Sequence, residues 1–106
     1  PFGLPPTAAS LDAYLGMLGD CDLHWLVSSF GDDCVGCGIA EEAIRRGGHV
    51  QVGLEPYVGD RRPTNVELVE EVVALAGRYE RPVATPGQTA EILHLPNFPV
   101  CYRPPR

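Results

Sequence analysis

Lysine is absent from the 106-residue chain, whose eight basic residues are all arginine. That excludes any mechanism in which the chain supplies a Schiff-base lysine or the lysine of a phosphate-binding loop. Basic charge is also scarce and unclustered. With 14 acidic against 8 basic residues, the formal net charge is −6 and no basic stripe exists. Nucleic acid is thereby excluded as a partner, because its phosphates require clustered arginine and lysine. No apolar run approaches the ~18 residues that span a bilayer, and no signal-peptide pattern is present, so no membrane is expected either. The four cysteines, Cys21, Cys34, Cys37 and Cys101, lack a secretory context and read as reduced thiols in a cytoplasmic protein. Length is short as well. The chain has room for one domain with a modest core, far below the ~250 residues of an eight-stranded α/β barrel. It opens on Pro1 rather than Met, and a portion of a longer polypeptide is expected.

What is present alternates between helix and strand. Pro1 to Thr7 is a loop, since three prolines in six residues sustain neither a helix nor a central strand. Ser10 is placed as the cap of a helix carrying Leu11, Tyr14, Leu15 and Leu18 on one face and stopping at Gly19-Asp20. Leu23 to Val27 reads as a buried strand with Ser28-Ser29 at its end. A second helix is expected from about Val35 or Ile39 to Arg46, halted by Gly47-Gly48. Residues 47–55 read as a second strand, followed by a turn-rich loop from Pro56 to Pro63. Thr64-Asn65-Val66-Glu67 fits a capping box. The helix behind it shows Val66, Val69, Val73 and Ala76 as an apolar face widened by Leu68, Val72 and Leu75, with Glu67, Glu70 and Glu71 on its solvated side. Pro82-Val83-Ala84 is a short extended piece. Thr85-Pro86-Gly87-Gln88 repeats the capping logic and opens a last helix to about Leu95. The proline-rich tail from Pro96 to Arg106 is irregular.

Glu55 carries the most information. Side chains alternate along a strand, so His49, Gln51, Gly53 and Glu55 share one face while Val50, Val52 and Leu54 share a wholly apolar one. A strand that is polar inside and apolar outside suits the wall of a parallel barrel, where chemistry gathers at the C-terminal strand ends. Glu55 stands at that end. His49 shares its face, but six residues at a rise of about 3.3 Å put it some 20 Å lower, and it is read as structural, like His24 and His94. In the loop after Glu55, Tyr57 and the pair Arg61-Arg62 lie where substrate contacts arise. Arg62 is suited to a carboxylate or a phosphate. Ser28 and Ser29 are similarly placed. Helix and strand in alternation imply parallel strands with crossover helices. Two strands make too small a sheet to stand alone, so residues 1–106 read as a single partial domain, either consecutive βα units cut from something larger or a chain that pairs with a partner.

Three stretches carry a resemblance: Arg45-Arg46-Gly47-Gly48-His49-Val50-Gln51-Val52-Gly53-Leu54-Glu55, then Pro63-Thr64-Asn65-Val66-Glu67-Leu68-Val69-Glu70, then Arg81-Pro82-Val83-Ala84-Thr85-Pro86. Together they resemble the β-keto acid cleavage enzymes, and the likeness extends more weakly through Trp25 to Gly31 and Pro5-Pro6-Thr7. It covers most of this chain but only about the C-terminal third of a family member. The resemblance implies a TIM (β/α)8 barrel of which this chain holds the last βα units. It also implies a zinc-dependent reaction of a β-keto acid with acetyl-CoA, giving acetoacetate and a new CoA thioester. Zinc in that family is held by a His-x-His motif on an early strand and by a glutamate closing the Gly-Leu-Glu strand. Glu55 matches that glutamate, and the histidines must come from outside this chain, which has no His-x-His. Zinc would act as a Lewis acid on the keto oxygen, and two imidazoles with one carboxylate leave positions open for substrate. Family members tend to carry an arginine four residues before the glutamate and an aspartate just after it. Gln51 and Pro56 stand there in this chain, so it supplies no confident catalytic residue. Ser28, Gln51, Tyr57 and Arg62 are its substrate-binding candidates. Partners expected on this reading are the remainder of the barrel or further copies of the chain.

Two other readings compete. Cys34-Val35-Gly36-Cys37, after a strand and opening a helix, has the placement of a dithiol redox motif whose thiol pKa is lowered by the helix N-terminus. A non-catalytic fragment or assembly subunit is the other, supported by the missing histidines and by the open sheet edge that a partial barrel must leave.

Overall fold

A computed structural model describes residues 3–96. The expected irregular tail beyond Pro96, with Cys101, lies outside them. Element order is α1 (Ala8–Leu18), β1 (Leu26–Val27), α2 (Ile39–Arg45), β2 (His49–Val50), α3 (Asn65–Arg78) and α4 (Pro86–Ile92). β1 and β2 pair in parallel, Leu26 opposite His49 and Val27 opposite Val50, with α2 as the crossover between them. The ladder is short. The amide of His49 donates to the Trp25 carbonyl and that of Gln51 to the Val27 carbonyl, both at 2.9 Å. Leu23 and His24 lie outside it, exposed, and Leu26 presents its side chain to solvent. The expected buried strand is therefore covered on one side only, because α2 is the helix that packs on it.

The helices follow their caps. α1 starts three residues earlier than the Ser10 cap would place it. Thr7 is the extended N-cap and accepts from the Ser10 amide at 3.2 Å, which moves Ser10 into the first turn. α2 begins only at Ile39. α3 has the expected capping box: the Glu67 carboxylate accepts from the Thr64 amide at 2.7 Å and the Thr64 hydroxyl from the Glu67 amide at 3.2 Å. α4 has its own between Thr85 and Gln88 and stops at Ile92, short of Leu95.

The core lies between α2, the sheet and α3. Leu11, Cys34, Ile39, Ala40, Ile44 and Leu75 form it, with Trp25, Val27, Val50, Val52 and Val72 packed around. This corrects the reading of α3. Leu68 and Leu75 are its buried residues, Val72 and Ala76 are half-buried, and Val66, Val69 and Val73 are exposed. Both stripes have helical spacing, so periodicity alone could not rank them; contact with α2 selects the leucine side.

The N-terminal ends of the strands are closed by packing and by one arginine. Gly48 has no room for a side chain, since a Cβ there would stand 2.2 Å from the Trp25 ring. Arg81, just past α3, donates to the carbonyls of Ile44 (2.9 Å) and Gly48 (2.7 Å), joining the end of α2 to the start of β2. Arg46 ties α2 to α1, binding Glu42 on its own helix at 3.0 Å and Asp12 on the other. Among the described residues no helix is long and apolar enough to cross a membrane.

Candidate functional site

Beyond the C-terminal ends of β1 and β2 the two chains part and then meet again. The Gly31 amide donates to the Pro56 carbonyl at 2.9 Å and the Val58 amide to the Asp32 carbonyl at 3.3 Å, a parallel bridge pairing Asp32 with Tyr57. Between ladder and bridge lies a cavity of about 10 Å³, lined by Ser29, Asp32, Asp33, Cys34, Gln51, Val52, Gly53, Pro56, Tyr57 and Leu68. That is room for a single water.

Glu55 is not on the strand itself. Residues 54–56 form a turn past the end of β2, and Glu55 is exposed there. The strict face alternation expected as far as Glu55 breaks at this turn, with Leu54 half-exposed. The cause is local: the Leu54 amide donates to the Asn65 side-chain oxygen at 2.9 Å, so the first residue of α3 holds the turn and takes the chain out of the ladder.

The expected site residues are divided. Gln51 and Tyr57 line the cavity, and so does Pro56. Ser28 does not: it lies on an apolar groove of about 600 Å³ between α1 and β1, shared with Leu11, Tyr14, Trp25, Phe30 and Ile39. Glu55 and Arg62 line neither space. His49 is exposed at the N-terminal end of β2 and meets His24, with ring centroids 5.9 Å apart. Among the described residues the buried hydroxyls of Ser28 and Tyr57 have no hydrogen-bond partner, which is a costly state for a buried polar group.

Two residues of this rim, Asp32 and Asp33, were missed as candidates. Asp33 accepts from the amides of Val35 (3.1 Å) and Gly36 (3.0 Å) through one carboxylate oxygen and from Arg61 through the other at 2.7 Å. Burial raises its pKa, but the Gly36 amide, Arg61 and the Val35 amide together outweigh that and hold the carboxyl below its ordinary range. Arg61 also binds Glu71 on α3, and its guanidinium lies 5.9 Å from the centre of the Tyr57 ring. Asp32 accepts from the Asp33 amide at 2.8 Å. A signal existed: an Asp-Asp pair after a strand, with Gly36 three residues beyond Asp33, is turn chemistry.

The two cysteines do not open a helix as the dithiol reading had placed them. Cys34 and Cys37 sit in turns ahead of α2, and the Cys37 thiol lies 3.7 Å from the Cys34 carbonyl. Cys34 is buried in the core, and burial, reinforced by Cys37, pushes its pKa up to about 11. A reactive thiol requires a lowered pKa.

Parallel strands with a crossover helix on one face, and polar loops gathered at their C-terminal ends, define an α/β unit of the kind that carries its chemistry on strand-end loops. The particular family follows from sequence comparison: the chain belongs to the β-keto acid cleavage enzymes, whose family model matches residues 1–95. It is 51% identical over 59 residues to the 3-keto-5-aminohexanoate cleavage enzyme of Acetoanaerobium sticklandii, covering 52% of this chain and 22% of the relative. Identity is 36% over 88 residues to the 3-oxoadipate:acetyl-CoA acetyltransferase of Cupriavidus necator, covering 79% and 30%. The 3-keto-5-aminohexanoate cleavage enzyme of Fusobacterium nucleatum matches at 46% over 61 residues, covering 54% and 22%. The chain thus spans under a third of the length of each of these relatives.

Proposed function

We propose that the chain is the C-terminal portion of a zinc-dependent β-keto acid cleavage enzyme of the cytoplasm, built on a (β/α)8 barrel. It would convert a β-keto acid and acetyl-CoA to acetoacetate and a new acyl-CoA. Family membership supports the reading, and one observation carries it. Glu55, which matches the family's metal-ligating glutamate, is exposed in the turn just past the C-terminal end of β2, the edge where a parallel barrel places its chemistry.

The residues of this chain do not by themselves fit a zinc centre. Among those described, no three His, Cys, Asp or Glu side chains gather as a ligand set, and zinc sites use three or four protein ligands. Glu55 is assigned one corner of a centre whose histidines come from the remainder of the barrel, in the same polypeptide or in a partner copy. When bound there, zinc would supply Lewis-acid polarisation of the keto group. This chain's own part is binding and orientation. Gln51 and Tyr57 offer an amide and a hydroxyl at the strand ends, and Ser28 offers a second hydroxyl. Arg62 is an exposed guanidinium suited to a carboxylate or CoA phosphate. Pro56 carries no proton, so proton transfer falls to groups elsewhere in the enzyme.

The test is native mass spectrometry with metal retained, paired with an acetoacetate assay. Expected is a species holding about 150 or more residues beyond this segment, a complete barrel's worth, with one zinc per barrel. Glu55→Gln should lose the zinc and reduce turnover about 100-fold or more, with stability changed by less than about 0.5 kcal/mol, as for other exposed positions. A metal-free, inactive species of this chain alone would sink the proposal and leave an assembly module.

A further inference from the structure

We infer that Arg61 is a positioning residue: its guanidinium fastens the loop after β1 to the loop after β2 and to α3, and so fixes Tyr57 at the strand-end rim. The inference rests on the strand-end site proposed above and deepens it.

The loop between β2 and α3 is held at its start by Asn65, which accepts from the Leu54 amide, and its tip depends on fewer bonds. Gly59 and Pro63 interrupt it, and its backbone meets the β1 loop only at the bridge of Asp32 with Tyr57. Arg61 adds side-chain bonds in two directions, to Asp33 at 2.7 Å and to Glu71 at 3.1 Å. Asp33 is itself anchored by the amides of Val35 and Gly36, and Glu71 by its helix, so both acceptors are fixed in place. A planar guanidinium can bond two carboxylates at once, which an ammonium does less well. The same group lies 5.9 Å from the Tyr57 ring, within cation–π range.

The consequence falls on Tyr57. Its hydroxyl is buried, with no hydrogen-bond partner among the described residues, and the chain folds over it so closely that a Cβ on Gly59 would stand 2.5 Å from that oxygen. A ring clamped from both sides, in the wall of the small cavity that Gln51 also lines, is held in one place at the strand ends. Fixed geometry of this kind acts on the rate. Arg62, the neighbouring residue, is in no ion pair among the described residues; the positioning role belongs to Arg61 alone.

The test uses the intact protein with Arg61→Met, Arg61→Lys, Tyr57→Phe and the double substitution of Arg61→Met with Tyr57→Phe. Steady-state kinetics with a β-keto acid and acetyl-CoA are read alongside amide hydrogen exchange. Expected is a fall in kcat of about tenfold or more for Arg61→Met, with partial rescue by lysine and KM for acetyl-CoA little changed. In the Tyr57→Phe background the Arg61 change should add nothing, because the two act as one unit. Exchange at Gly31, Gly36 and Val58 should quicken about tenfold or more while Gln51 in the ladder stays as before. Additive kinetic effects, an unchanged kcat, or unchanged exchange at those amides overturn the inference. A wild-type protein without turnover overturns the enzymatic reading instead; exchange on the same samples then decides the Arg61 clamp by itself.

Discussion

The two ends of the parallel strands are built on opposite terms. At the N-terminal end the main side-chain contacts hold the fold: the Trp25 ring fills the space over Gly48, and Arg81 binds the carbonyls of Ile44 and Gly48. At the C-terminal end, among the described residues, two buried hydroxyls stand without partners, a small cavity persists between the loops, and a carboxylate is exposed in a turn. The arginines repeat the contrast. Arg81 meets backbone carbonyls of a single α-to-β corner, whereas Arg61 spans two loops and a helix by their side chains. Unspent hydrogen-bonding capacity costs stability, and under the function proposed above it stands where a ligand would use it.

The strongest way to break that contrast is Gly48→Ala. A methyl group 2.2 Å from the Trp25 ring forces the strand and the ring apart, and about 3 kcal/mol of stability should be lost, read from denaturant unfolding of the purified protein. A loss below about 1 kcal/mol would mean that the N-terminal end is looser than its packing indicates. Arg81→Met comes next. It leaves the carbonyls of Ile44 and Gly48 without their charged donor and should cost about 2 kcal/mol, with the fall in activity no larger than the fall in folded fraction.

Asp33 sharpens the other side of the comparison. Its folded pKa lies below the ordinary 3.8, so the stability it contributes is fully present above that pH and is lost as pH falls through the lower folded value. Melting temperatures of wild type and Asp33→Asn should therefore differ at pH 7 and converge below about pH 4. A gap that persists into acid would show that the carboxylate charge contributes nothing. The smallest effect concerns thiols. Iodoacetamide at pH 8 should modify exposed Cys21 well before buried Cys34, whose pKa is pushed up to about 11, as peptide mapping would read. Rapid loss of the Cys34 thiol would revive the dithiol reading.

Much of this was legible along the chain. Capping boxes at Thr64 and Thr85 were readable because each is closed within four residues, and the crossover order α1–β1–α2–β2 was readable because alternation implies parallel strands. The Thr7 cap is as local as those boxes, closing on Ser10 three residues further on. The other misreadings have one cause. The exposed valine stripe of α3 and the early exit of Glu55 from its strand each depend on a contact from elsewhere: α2 against the leucines of α3, and Asn65 against the Leu54 amide. The Arg61 clamp was hidden for the same reason, since Asp33 lies 28 positions away from it and nothing in the intervening residues signals the pairing.

Sequence by itself determined the family, the helix starts set by capping boxes and the parallel order of the strands, because each rests on residue identity or on interactions a few positions apart. Tertiary structure alone decided which face of α3 is buried, which of two adjacent arginines is bound, and which candidate side chains share a cavity. Those choices turn on contacts between distant segments, whose direction a linear pattern does not encode.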